Sequence, residues 1–297
     1  MVEVTSGDVL GMRDSSVIEL VDDLNAKQAR IPLGPLLGLG TAGFGILAML
    51  AGGGQETVAP MVGAVALLSA LPAWALGAWL DQSLRRSVLF YNLDGEASAK
   101  FERVTKEFDA LKACRGRWHI EAGGKVTDLA TWKRNAGAGH LVNRKNARLG
   151  YNLPKVLRSN ITPPALGLGR RTFYFFPEVV LVQDGKRFGA VGYGDLEIKY
   201  QQSRFIEDGQ PPGDAQVVDH TWQHPNKSGG PDRRFKSNRR LPICLYDVMH
   251  LSSRSGVNEL AEFSQIGIVQ RFVATLRDLP KRPASESLLA ISSPSAS

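Results

Sequence analysis

The densest polar chemistry in the chain lies between Asp219 and Arg240. The segment runs Asp219-His220-Thr221-Trp222-Gln223-His224-Pro225-Asn226-Lys227, then Gly229-Gly230-Pro231-Asp232-Arg233-Arg234-Phe235, and ends on Arg239-Arg240. Between Thr221 and Arg240 six bases face one acid. The arginines offer forked donors that match phosphate or carboxylate oxygens, and the paired glycines free the backbone for close approach. Trp222 and Phe235 provide faces on which a nucleobase can stack. Trp222, Lys227, Arg233, Arg234, Arg239 and Arg240 are therefore the candidate ligand-binding residues. The same composition also suits a solvent-exposed hairpin loop whose arginines pair with local acids.

A second constellation is catalytic. Pro177-Glu178 followed by Glu197-Ile198-Lys199 resembles the bipartite motif of the PD-(D/E)xK nucleases. The resemblance implies that Glu178 and Glu197 hold Mg²⁺ and that Lys199 orients the attacking water. Here Glu stands where that family usually has Asp. Strand alternation also sets Glu197 and Lys199 opposite Leu196, Ile198 and Tyr200, on an outer face.

Metal and cofactor chemistry has thinner support. His220 and His224 share a helix face only if a helix runs through them, and Pro225 opposes one. On a strand they lie about 13 Å apart, too far for one ion. His119, His140 and His250 have no companions in sequence, and Cys114 and Cys244 are too few for a disulfide scaffold or a cysteine-rich zinc site. No dinucleotide-binding, Walker-type or Gly-x-Ser-x-Gly signature is present, so no cofactor is expected.

The elements that must position these residues fall into blocks. From Ile31 to Leu80 there is one charged residue, Glu56. Two apolar runs, 31–52 and 58–80, each span roughly 33 Å as helix, against a hydrocarbon core of about 30 Å. Their short link predicts a membrane-spanning antiparallel hairpin, with Pro72 kinking the second span. Gly34, Gly38 and Ala42, with Ala73 and Gly77, have the spacing for close helix approach, within the hairpin or between copies. Six acids among the first thirty residues exclude a cleaved signal peptide. Lys27 and Arg30 precede the spans and Arg85 and Arg86 follow them. Positive flanks on both sides predict a cytoplasmic (inner) membrane with both termini in the cytoplasm.

Residues 1–30 are expected to carry a cytoplasmic helix begun by the capping-box spacing Ser16 to Glu19. In 81–112, Asp94 can cap an amphipathic helix with Ala97, Phe101, Val104, Phe108 and Leu111 on one seam. That seam packs either on its own domain or against a second copy. Residues 113–171 read as a basic irregular region. Leu129 to Pro177 holds nine bases (Lys133, Arg134, Arg144, Lys145, Arg148, Lys155, Arg158, Arg170 and Arg171) and no acid. Such a surface suits anionic lipid, a nucleotide or nucleic acid, or is a solvated loop. In 172–279 strand signals follow one another, and a helix with Ile266, Val269, Phe272, Val273 and Leu276 on one stripe ends the domain. Residues 280–297 have a disordered composition.

The element order over Thr172 to Asp278 resembles a bacterial pleckstrin-homology-like domain. That resemblance implies an antiparallel, barrel-like sheet closed by the C-terminal helix, with loops or strand edges that bind lipids, nucleotides or peptides. The whole chain resembles uncharacterised bacterial membrane proteins that carry an N-terminal two-helix hairpin. The expected architecture is a membrane α-helical hairpin plus a cytoplasmic α+β domain. The expected function is non-enzymatic binding of a phosphate-bearing ligand or a protein. The alternatives are a membrane-tethered nuclease and an oligomeric scaffold. The net charge of +7 fits this layout, since residues 81–297 alone carry +11.

Overall fold

The computed structural model describes residues 2–4, 6–14, 17–51, 58–84, 86–125, 140–279 and 288–291. The chain divides into two compact units. One comprises Asp22–Leu89, Pro154–Arg158 and Ala290–Ser297, and the other Met1–Val21, Phe90–Leu153 and Ser159–Leu289.

Three helices dominate the first part of the chain: α1 (Ile18–Ala29), α2 (Leu33–Ala51) and α3 (Val58–Leu84). The cap expected at Ser16 lies outside the described residues. Among the described residues two helices are long and apolar enough to cross a membrane, and only 17% and 11% of their most apolar windows are buried. A core helix of a soluble protein hides most of its apolar surface, whereas Leu39, Leu47, Leu50, Val65, Leu68 and Leu71 here point outward. Pro72 sits inside α3, which continues to Leu84.

The small residues face inward. A Cβ on Gly77 would lie 2.6 Å from the Leu33 carbonyl oxygen, one on Gly63 would lie 2.7 Å from that of Gly45, and one on Gly38 would meet Trp74. Of the two partners the spacing allowed, α2 and α3 use each other. Backbone polar groups are cared for as well. Asp81 of α3 accepts from the amides of Leu33 (2.8 Å) and Gly34 (3.3 Å), capping the start of α2 from its neighbour. Thr41 and Ser69 return their hydroxyls to carbonyls of their own helices.

The other unit is built from strands and two helices. Its strands are β1 (Val2–Glu3), β3 (Arg117–Lys125), β4 (His140–Asn146), β5 (Arg148–Tyr151), β7 (Pro164–Leu168), β8 (Arg171–Phe175), β9 (Val179–Asp184), β10 (Arg187–Gly192), β11 (Leu196–Ile206), β12 (Gln216–Trp222), β13 (Arg240–Ser253) and β14 (Asn258–Phe263). Short strands β2 (Ser87–Tyr91), β6 (Leu157–Ser159) and β15 (Leu288–Ile291), which belong in part to the first unit, form a small further sheet in the order β15-β2-β6. The helices are α4 (Gly95–Ala113) and α5 (Ile268–Arg277).

Seven strands form one antiparallel sheet along the path β1-β3-β14-β13-β11, with β4 also on β3 and β12 also on β13. Five form a second in the order β10-β9-β8-β7-β5. Neither path returns to its start, so no sheet is closed and the expected barrel is not formed. The expectation failed because β3, β4, β5 and β7 lie in the glycine- and base-rich stretch that reads as irregular backbone. Counting them yields two open sheets instead of one ring.

The terminal helix accordingly packs between layers instead of plugging a barrel. Phe272 of α5 meets Phe175 of the second sheet edge-on at 5.5 Å and Phe108 of α4 at 5.9 Å. Ile198, Met249, Leu251, Ala261 and Phe263 of the first sheet and Leu166, Phe173, Val180 and Val182 of the second complete this core. Asp94 caps α4 through the Ala97 amide at 2.7 Å. Phe101, Val104, Phe108 and Leu111 are all buried, so the seam packs on its own domain and is not displayed to a second copy.

Candidate functional site

The candidate binding residues sit on the β12–β13 hairpin and its long connection. Trp222 faces Arg240 across the last pair of the ladder, and the chain between them folds on itself. The Asn226 side-chain oxygen accepts from the amides of Ser228 (3.0 Å) and Gly230 (2.8 Å), while Gly229 takes φ +85°. Only a residue without Cβ adopts that conformation cheaply, which gives the first of the paired glycines its local reason. Pro225 and Pro231 form an isolated bridge. Asn238 locks the loop a second time, accepting from the His224 amide (2.9 Å) and donating to its carbonyl (2.8 Å). Phe235 lies flat on the His224 ring at 4.0 Å and still exposes 44% of its surface.

The bases divide into two groups. Arg234 is held by Asp232, with Nε 3.0 Å from Oδ1, and Arg239 donates to Gln223 (3.1 Å) and Asp208 (2.8 Å). Those two guanidinium groups are engaged by neighbouring groups of the chain, although both stay largely exposed. Lys227, Arg233, Lys236 and Arg240 are exposed, and among the described residues no acid lies within ion-pair distance of them. Trp222 is half-buried at the base of the hairpin, so the outward aromatic face belongs to Phe235.

The residues of the nuclease reading line two different cavities that share Leu279. Glu178 is buried in the turn between β8 and β9 and lines a cavity of about 250 Å³ with Asp94, Glu96 and Lys100. Glu197 and Lys199 lie on exposed β11, paired with each other at 3.1 Å, beside a different cavity of about 390 Å³. Among the described residues no group of three or more His, Cys, Asp and Glu side chains can hold a metal ion. His220 is exposed on β12 and His224 is engaged with Phe235, so the pair does not form a ligand set.

Two buried ionic clusters escape the sequence reading. In the first, Arg144 of β4 donates to both oxygens of Glu207, just beyond β11, at 2.6 and 2.7 Å. Its guanidinium lies 4.1 Å from the Trp118 ring and 3.9 Å from that of Phe205, a cation–π sandwich. Glu262 of β14 approaches the other side of Arg144 at 3.5 Å, and Tyr246 donates to Glu207 at 2.7 Å. Burial pushes the Glu262 carboxyl up to about 7, against the opposing pull of Arg144. Burial, together with Glu207, also raises the Tyr246 phenol.

In the second, Glu259 is a hub. It accepts from Ser6 and Arg171, each at 2.7 Å, and meets His119 Nε2 at 2.7 Å. Burial opposes its ionised form, yet the His119, Ser6 and Arg171 bonds prevail and hold the carboxyl below its usual range. Arg171 also donates to the carbonyls of Ser6 (2.9 Å) and Gly7 (3.1 Å). The N-terminal strap is thereby tied to β3, β8 and β14. Further along, the Ala190 amide donates to the Met12 carbonyl at 2.8 Å, and a Cβ on Gly189 would collide with the strap backbone.

Ion pairs, within these clusters and on the surface, account for part of the basic run, while Arg148, Lys155 and Arg158 stay exposed. Arg144, Lys145, Arg170 and Arg171 are paired with Glu207, Glu121, Asp184 and Glu259, and Lys133 and Arg134 lie outside the described residues. The exposed, locally unpaired charge of the hairpin loop is therefore the best-formed candidate site. Comparison of the chain with protein families, curated proteins and solved structures finds no match. None of the resemblances drawn from the sequence gains support there, and the functional reading rests on this chain's own geometry.

Proposed function

We propose that the chain is a membrane-anchored, non-enzymatic binding protein whose β-rich unit recognises a phosphate-bearing ligand through the β12–β13 loop. The observation that carries the reading is a loop braced by Asn226 and Asn238 that presents Lys227, Arg233 and Arg240 with no local acid to neutralise them. Charge-assisted bonds to phosphate are stronger than neutral ones, and a prearranged loop loses little entropy on binding. The apolar faces of α2 and α3 support anchorage. The bases on both flanks favour an inner membrane with cytoplasmic termini. The phosphate belongs to a lipid headgroup, a nucleotide or a nucleic acid.

The test uses the full chain in zwitterionic nanodiscs, titrated separately with a nucleoside triphosphate, a short oligonucleotide and a short-chain anionic phospholipid. Saturable binding of at least one is expected, weakened at least tenfold by the combined replacements Lys227→Gln, Arg233→Gln and Arg240→Gln. Unchanged affinity in that variant would remove the loop as the site.

A further inference from the structure

The loop carries a feature that phosphate binding alone does not require. Phe235, flanked in sequence by Arg234 and Lys236, stacks one face on His224 and keeps 44% of its surface exposed. Neither of the two cavities described above borders this loop. A small phosphate compound is ordinarily gripped in a concavity, whereas an exposed, braced loop with an aromatic side chain and unpaired bases matches a flat anionic surface. The internal pairing is consistent with that partner. Asp232 and Asp208 are cancelled by Arg234 and Arg239, which leaves the outward charge of the segment positive.

Resting on the membrane-anchored reading above, we infer that the β12–β13 loop docks on the anionic surface of the bilayer, with Phe235 seated at the headgroup–acyl boundary and Lys227, Arg233, Lys236 and Arg240 against lipid phosphates. Arg234 and Arg239 stay behind as braces. Each base near an anionic leaflet shifts the docked-to-free ratio of the loop about fivefold, and seating one aromatic ring shifts it about tenfold.

The experiment places an environment-sensitive fluorophore on a Ser237→Cys variant of the full chain. Cys114 and Cys244 are buried, so the label goes to one position. The protein is reconstituted in phosphatidylcholine vesicles with and without 30% phosphatidylglycerol. In the anionic vesicles the emission should shift to the blue and be quenched by brominated acyl chains, and 0.5 M NaCl should reverse both effects. Replacing Arg233 with Gln should lower the docked fraction more than Arg239→Gln, and Phe235→Ala should abolish the quenching. The salt series on the otherwise unaltered chain keeps the test decisive if a variant misfolds.

Emission independent of lipid charge would overturn the inference. So would a response to an oligonucleotide alone, which would leave the phosphate-binding reading standing with a nucleic acid as its partner. Extraction of the chain from vesicles by alkaline carbonate would instead overturn the anchored reading on which the inference rests.

Discussion

Arg144 and Glu207 meet in a bidentate ion pair that joins β4 to the end of β11, two strands with no backbone pairing to each other. Trp118 and Phe205 cover the two faces of the guanidinium, and little of either charge reaches water. Breaking such a pair strands the surviving charge. Glu207→Ala or Arg144→Ala is therefore expected to destabilise the β-rich unit by about 3–5 kcal/mol, measured by urea unfolding. The double replacement Arg144→Met with Glu207→Leu should cost less than either single change, because neither charge of the pair is stranded, although the Tyr246 hydroxyl loses its acceptor.

Glu262 gives this cluster a pH dependence. Its carboxyl titrates at about 7 in the fold and near 4.5 when unfolded, so the folded protein holds the proton more tightly. A raised carboxylate pKa contributes stability at low pH and loses it as pH rises from about 4.5 through about 7. The loss is roughly 3 kcal/mol across that window. Glu262→Gln should flatten that part of the stability–pH curve and leave the variant more stable than the parent at pH 8. A parent curve without a decline over the window would refute the assignment.

The helical hairpin makes a separate prediction. Gly77→Leu forces a side chain into the backbone of Leu33 and Gly34, and is expected to cost about 1–3 kcal/mol of α2–α3 association. A Cβ on Gly40 would meet nothing within 4 Å, and Gly40→Leu is expected to be neutral. Unfolding of the full chain in mixed micelles separates the two.

The Glu259 hub predicts that the strap loosens in acid. Its depressed carboxyl contributes stability above the ordinary carboxylate range, and that contribution is lost as pH falls and the group takes up a proton. Glu259→Ala should mimic the loss at neutral pH. Amide exchange at Val4 and Gly7, whose N–H groups bond to Glu121 and Gly256, should rise at least tenfold while exchange in β9 stays slow.

The two long apolar helices were plain in the sequence because continuous apolarity is a local property. Asp94 and the α4 seam were equally legible, since a cap and a heptad are written in adjacent residues. The seam's partner was not, because two heptads do not say which surface they cover. The strands between Arg117 and Leu168 were hidden by their polar content. Arg117-Trp118-His119-Ile120-Glu121 reads as solvated until Glu259, Glu262 and Glu207 arrive from beyond residue 200 to pair with it and its neighbours. For the same reason the nine-base run looked like a free cationic surface, and only long-range pairing showed that Arg144 and Arg171 are largely enclosed by acids from distant strands. In the loop, the bases were visible in the sequence. The split between braces and outward charges depends on Asp208, Asp232 and two asparagines, whose placement composition does not fix.

The strap bears on how the protein is made. Ser6 closes onto Glu259 across 253 residues of chain, and α2 and α3 lie between them. At roughly 5–20 residues per second, the ribosome delivers Glu259 some ten to fifty seconds after Ser6. The start of the chain thus waits, unsheltered, while the helical hairpin is synthesised and the sheets assemble. It is among the last pieces to settle, a seal applied after the sheets have assembled and not a nucleus for them.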